Sequence, residues 1–188
     1  RFARSASAGF LALFILMPSA DAAVKIERVV SAKGIEAWLV HDSSVPVISV
    51  AFEFRGGSSL DPIGKEGLSE MITGLLDEGA GEFDSQAFQK ILEDESIYMG
   101  FGSGPDGLSG SLRMLSGKRE RAFDLLRLSL TQPRFDAEPV KRIQAQLEAR
   151  IRRDAASPQR LADQALWQAL YPGHPYGRPE EGTPESLA

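Results

Sequence analysis

Apolar positions along the chain change period at defined points, and the changes mark the elements. Between Glu66 and Gly81, Leu68, Met71, Ile72, Leu75 and Leu76 recur at i, i+3, i+4, i+7 and i+8. That spacing predicts one apolar stripe of an amphipathic helix. Gly79 follows the last apolar pair, where a helix-ending glycine is expected. A second stripe of the same helix, Glu70, Thr73, Gly74 and Asp77, is small and polar, with Gly74 expected in mid-helix. Upstream, Val24–Val30 and Ile35–His41 read as strands joined by a turn at Ser31-Ala32-Lys33-Gly34. Val47–Phe54 reads as a further strand, bounded by Pro46 and Gly56-Gly57.

Downstream, Asp84 is placed to cap a helix over Ser85–Asp94 whose apolar side is Phe88, Ile91 and Leu92. Ser96–Phe101 and Leu108–Leu115 read as strands around a glycine-rich turn. That turn contains Gly102-Ser103-Gly104-Pro105-Asp106-Gly107, a literal G-x-G-x-x-G. A dinucleotide fingerprint needs a helix directly after it to receive the pyrophosphate. Leu108–Leu115 alternates as a strand does, so the segment is read as a turn between antiparallel strands. Lys118–Thr131 is a predicted helix with Ala122, Leu125, Leu126 and Ser129 on one side. Gln132-Pro133-Arg134-Phe135 ends it, and Asp136 is placed to cap the next helix, with Pro139 in its first turn, running to about Asp154. Val140, Ile143, Leu147 and Ile151 form its inward stripe. Lys141, Arg142, Arg152 and Arg153 read as a solvated basic face, and Arg150 lies beside the inward stripe. A last helix, Pro158–Leu170, carries Leu161, Ala165, Leu166 and Trp167. Hairpins and helices without strict βαβ alternation predict an α+β domain: an antiparallel or mixed sheet with helices packed mainly on one face.

The 188 residues are 43% hydrophobic and 25% charged. Those fractions exclude a disordered chain and suit one globular domain. A net charge of −5 argues against general nucleic-acid binding. The absence of cysteine excludes a disulfide framework and a lipoprotein attachment site. Arg1 in place of Met implies that the start of the reading frame is missing. Arg1 and Arg4 precede the apolar run Gly9–Met17, and Ala20-Asp21-Ala22 follows it. This order predicts a signal peptide over residues 1–22, cleaved before Ala23, and a mature domain over 23–188. The alternative is an uncleaved anchor or a buried helix, but the run is short for a transmembrane span. The expected location is periplasmic or secreted, with no stable membrane span after cleavage.

Phe54-Arg55-Gly56-Gly57-Ser58-Ser59-Leu60-Asp61-Pro62-Ile63-Gly64-Lys65-Glu66-Gly67-Leu68 resembles the entry to the active-site helix of the M16 metallopeptidases, the pitrilysin, insulinase and processing-peptidase relatives. Tyr171-Pro172-Gly173-His174-Pro175-Tyr176-Gly177-Arg178 and Gly182-Thr183-Pro184-Glu185-Ser186-Leu187 resemble later segments of the same family. The resemblance runs from about Val24 to Ala188. It implies the family's α+β domain of N-terminal type, with the rest of the sheet and a second domain past Ala188. In active members the helix bears H-x-x-E-H: two histidines bind Zn²⁺ and the glutamate is general base toward the bound water. Set on this chain, those positions are Glu70, Thr73 and Gly74, and the third ligand position, a glutamate on a later helix, is Arg150. None of the four groups is present.

The resemblance therefore implies a non-catalytic subunit with no catalytic residue and no metal ligand. Its expected partner is an active M16 subunit that carries H-x-x-E-H and the zinc, and together they would enclose a peptide substrate. No peptidase activity is expected of this chain alone. The substrate-binding residues are not assigned. Two other readings stay open: an inert scaffold or interaction protein of the same fold, and an enzyme whose site lies outside this segment. Positions 70 and 150 converge on one metal in active relatives, so Glu70 and Arg150 are expected either to pair in the vacated site or to turn to solvent. His41 reads as a surface residue and His174 as part of a structural loop; neither has a partner at helical spacing. Asp77, Glu78 and Glu82 cluster without imidazole or thiolate company, which leaves weak cation binding open.

Overall fold

A computed structural model of the chain describes residues 25–188. The predicted signal peptide, and Val24 at the predicted start of the first strand, lie outside the described residues. The chain divides into two compact units between Ser44 and Val45.

In the first unit, β1 (Ile26–Val30) and β2 (Glu36–Val40) form an antiparallel hairpin with Ile26 opposite Val40 and Val30 opposite Glu36. The turn closes on Ser31: its N–H donates to the Ile35 carbonyl, and its hydroxyl oxygen accepts the Ile35 N–H at 2.9 Å. Arg28 and Glu36 pair across the strands at 2.7 Å. His41 follows β2, exposed, with Nε2 3.6 Å from a Glu27 carboxylate oxygen.

In the second unit the elements are β3 (Val47–Arg55), α1 (Leu68–Thr73), α2 (Ser85–Asp94), β4 (Tyr98–Ser103), β5 (Gly107–Leu115), α3 (Arg119–Thr131), α4 (Ala137–Asp154) and α5 (Pro158–Leu170). The three strands form an antiparallel sheet in the order β3-β5-β4. Strand side chains alternate between faces, so one face of this sheet is apolar. Ile48, Val50 and Phe52 of β3, Met99 and Phe101 of β4, and Leu112 and Met114 of β5 pack with Phe88 and Leu92 of α2 and Ala122, Leu125 and Leu126 of α3. Ser109, Arg113 and Leu115, on the other face of β5, are exposed. Burying a side chain such as Leu125 or Phe88 contributes about 1.5–3 kcal/mol, so this layer carries most of the unit's cohesion. A second, smaller core joins α1 to α4: Leu75, Ile143 and Leu147, with Met71, Val140 and Leu187 against them.

Several expectations need correction. The helix predicted over Glu66–Gly81 is α-helical only over Leu68–Thr73, and Gly74 is its C-cap rather than a mid-helix residue. Beyond it the bonds shorten to i+3: Leu75 N–H donates to Ile72 and Glu78 N–H to Leu75. This tighter path sends Leu75 into the α4 core and Ala80 into the main core, where it bridges Phe83 and Pro133. The strand placed at Ser96–Phe101 is displaced to Tyr98–Ser103, so Gly102 and Ser103 belong to β4 and the glycine-rich turn is shorter. Asp84 does cap α2, accepting the Ala87 N–H at 2.9 Å, but Asp136 does not cap α4 with its side chain. Its carboxylate is drawn instead to Arg134, at 2.7 Å. Leu161, Leu166 and Trp167 of α5 are about half exposed, and Trp167 stacks on Tyr171 with ring centroids 5.3 Å apart. Among the described residues no helix is long and apolar enough to cross a membrane.

Candidate functional site

The site is built around the seat of α1. Gly67 precedes the helix with φ +88°, and a Cβ there would stand 2.5 Å from the Glu181 carbonyl oxygen, so only glycine fits this contact. The Asp61 carboxylate then takes the first helical donors: Gly67 N–H at 3.0 Å, Ser69 N–H at 3.1 Å and the Ser69 hydroxyl at 2.6 Å. These bonds supply the orphan donors of a helix start. They also allow Ser69 to be buried while Leu68, read as part of the inward stripe, is 41% exposed. The chain's last residues brace the seat. Arg178 donates to the carbonyls of Asp61 (2.8 Å) and Ser59 (3.0 Å), and the Ser186 hydroxyl donates to the Glu66 carbonyl at 2.7 Å. Tyr176 ties the same segment to the β4–β5 turn through the Asp106 carboxylate, at 2.7 Å, a bond that holds the phenol above its usual range. Sequence reading missed Asp61, Arg178 and Ser186. An aspartate ahead of a glycine-opened helix is a capping signal; the other two had none, because their partners are main-chain carbonyls more than a hundred residues away.

The structure brings Glu70 and Arg150 together. Arg150 Nη2 donates to Glu70 Oε1 at 2.7 Å, and the Ser103 hydroxyl at the end of β4 donates to Oε2 at 2.6 Å. The side chains are 24% and 34% exposed, and Arg150 Nε is buried without a partner. Thr73 is 3% exposed, and its hydroxyl is turned to its own helix, within 3.0 Å of the Glu70 carbonyl and 3.1 Å of the Ser69 carbonyl. Gly74 does not admit Arg150. It faces Ile143, whose Cγ2 would lie 3.1 Å from an added Cβ. Glu180 stands nearby, its carboxyl raised by partial burial and by the charges of Glu181 and Glu70.

These residues do not fit a zinc ion. Both oxygens of Glu70 are engaged, Gly74 has no donor atom, and Arg150 places a permanent cation where a ligand would stand. Thr73 offers a hydroxyl bonded to backbone, which cannot take a proton from water at neutral pH. Of the other acidic candidates, Glu78 is committed elsewhere. Glu78 accepts the Ser85 hydroxyl at 2.6 Å and is paired with Arg142, so Arg142 is not on a solvated face. Burial pushes Glu78 upward, but the bonds from Arg142 and Ser85 outweigh it and hold the carboxyl below its usual range. Burial raises its neighbour Asp77. His174 Nδ1 accepts the Tyr176 N–H at 3.2 Å. Among the described residues no group of three or more His, Cys, Asp and Glu is placed to hold a metal.

No family model matches the chain. The curated protein "Non-peptidase homolog YmxG" of Helicobacter pylori (strain ATCC 700392 / 26695) is 26% identical over 143 residues, 76% of this chain and 33% of that protein. Among solved structures, a peptidase M16 inactive domain from Pseudomonas fluorescens superposes with a TM-score of 0.81 at 28% identity, over 87% of this chain and 40% of that one. A protease from Helicobacter pylori superposes with a TM-score of 0.74 at 18% identity, over the same shares, and shows the fold alone. The chain thus spans about a third of the length of the curated relative it matches. In fold the chain is similar to an M16 peptidase inactive domain, and in sequence it is similar to a protein described as a non-peptidase homologue.

Proposed function

We propose that this chain is part of a non-catalytic M16-like subunit that pairs with a separate, zinc-bearing peptidase subunit and helps enclose its peptide substrate. The observation that carries this reading is the bonding of Glu70. At the positions where an active relative would hold its metal and base, this chain has Glu70, Thr73, Gly74 and Arg150. The one carboxylate among them is occupied by Arg150 and Ser103. The fold is kept while the chemistry is removed, and fold alone carries no activity. The descriptions of YmxG as a non-peptidase homologue and of the Pseudomonas fluorescens domain as inactive support the same reading. The zinc would reside in the partner. The signal-peptide pattern of residues 1–22 supports a periplasmic or secreted location for the pair.

Affinity purification of the tagged full-length protein from its own cells tests the pairing. The expected result is a co-purifying chain with an intact H-x-x-E-H, and chelator-sensitive peptide hydrolysis that neither chain shows alone. A lone protein with no hydrolysis would refute the pairing and favour an inert scaffold.

A further inference from the structure

Two glutamates of the α1 segment are bonded in the same manner. Glu70 joins Arg150 of α4 to Ser103 of β4, at 2.7 and 2.6 Å. Glu78 joins Arg142 of α4 to Ser85 at the start of α2, the serine at 2.6 Å. The glutamates are eight residues apart and so are the arginines, and the order is reversed: 70 pairs with 150 and 78 with 142. The segment therefore runs antiparallel to α4, gripped at two points about 12 Å apart along that helix. Between the grips lies the small apolar seam of Met71 and Leu75 against Ile143 and Leu147, closed by the bare Gly74 beside Ile143.

We infer that this pair of Ser–Glu–Arg bridges is a two-point clamp that fixes α1 to α4 without any metal, and that its two ends act as one unit. The six residues of α1 are far too few for a self-supporting helix. Among the described residues the seam beneath them has three buried members, Leu75, Ile143 and Leu147. Position therefore depends on the polar anchors. Glu78 is 12% exposed at its side chain, so loss of Arg142 leaves a nearly buried carboxylate short of its charge partner, and the segment lifts to solvate it. Lifting at residue 78 pulls Leu75 from the seam and reaches Glu70 within two turns of chain. Through Ser103, the same movement frees the end of β4.

Hydrogen exchange on the full-length protein tests the clamp, with R142M, R150M and the reversed pair E70R/R150E. Each single variant is expected to speed exchange about tenfold across the whole of residues 68–79, equivalent to about 1.4 kcal/mol less protection. The reversed pair is expected to recover at least half of that loss, and R142K and R150K to show the same spread at smaller size. Exchange in the wild type is expected to be indifferent to zinc and to chelator. Faster exchange confined to the end that was cut, no gain from the reversed pair, or protection that rises with zinc would each overturn the inference. The result does not depend on the partner subunit, whose presence is read separately by co-purification.

Discussion

Replacing Asp61 by alanine removes an acceptor that three donors share. Gly67 N–H, Ser69 N–H and the Ser69 hydroxyl converge on it at 3.0, 3.1 and 2.6 Å. Asp61 and Ser69 are 6% and 7% exposed, so water replaces the carboxylate poorly. A hydrogen bond to a charged group contributes about 1.5–3 kcal/mol, and the loss of a helix cap alone costs about 1 kcal/mol. The three bonds are not additive, because the Ser69 hydroxyl can rotate toward another acceptor. Two stranded N–H groups at about 1–1.5 kcal/mol each, with a partial loss at the hydroxyl, give about 3 kcal/mol for D61A. D61N keeps one acceptor oxygen and is expected to lose about half as much. In urea unfolding of the full-length protein followed by far-UV circular dichroism, D61A lowers the midpoint with an unchanged slope. In a thermal scan the same loss moves the midpoint by roughly 6–12 °C for a unit of this size. A loss below about 1 kcal/mol at unchanged slope would refute the view that Asp61 seats α1.

Gly74→Ala, at an αR C-cap, gains about 0.4–1 kcal/mol by restricting the unfolded chain but sets a methyl 3.1 Å from Ile143 Cγ2, and the two effects leave stability within about 1 kcal/mol of the wild type; Gly74→His, too large for the seam, costs several times more in the same unfolding assay. Asp77 and Glu78 carry opposite signs. Burial raises the folded Asp77 pKa, so its ionisation opposes folding as pH rises through the carboxylate range, and D77N is expected to stabilise at pH 7. The folded Glu78 pKa is lowered, so its contribution is present above the unfolded value and lost as pH falls through the folded one; E78Q is expected to cost about 1–2 kcal/mol at pH 7, discounted for the exposure of Arg142, and nothing once both forms are protonated. Equal pH profiles for the two variants would contradict this assignment. The Tyr176 phenol, raised by Asp106, is expected to ionise above its ordinary range in an ultraviolet pH titration, with its hydrogen bond intact below that point and lost as pH passes it; D106N returns it toward the ordinary value.

Elements with a strong period were legible in the sequence. The side chains of α3, with Ala122, Leu125, Leu126 and Ser129 buried, follow the predicted stripe, and β5 alternates as predicted. The α1 segment was misread because apolar spacing does not report buried polar groups. Ser69 and Thr73 face inward since Asp61 and the helix carbonyls satisfy them, and that displaces Leu68 to the surface. Arg142 was read as solvated because its partner, Glu78, lies 64 residues away. The proximity of positions 70 and 150 could not come from periodicity; it came from the M16 resemblance, and the roles of Ser103 and Ser85 as third members of the bridges had no signal. Leu161, Leu166 and Trp167 form a helical stripe that stays about half exposed, so their spacing predicted the helix and not its packing.

The central claim is that the place of the metal has been taken by the chain's own Glu70, Ser103 and Arg150. Metal analysis of the full-length protein, purified alone and dialysed against micromolar zinc, tests it most directly. The account predicts well under one equivalent of zinc and an unfolding midpoint that a chelator does not move. One tightly held equivalent, lost together with stability on chelation, would contradict it.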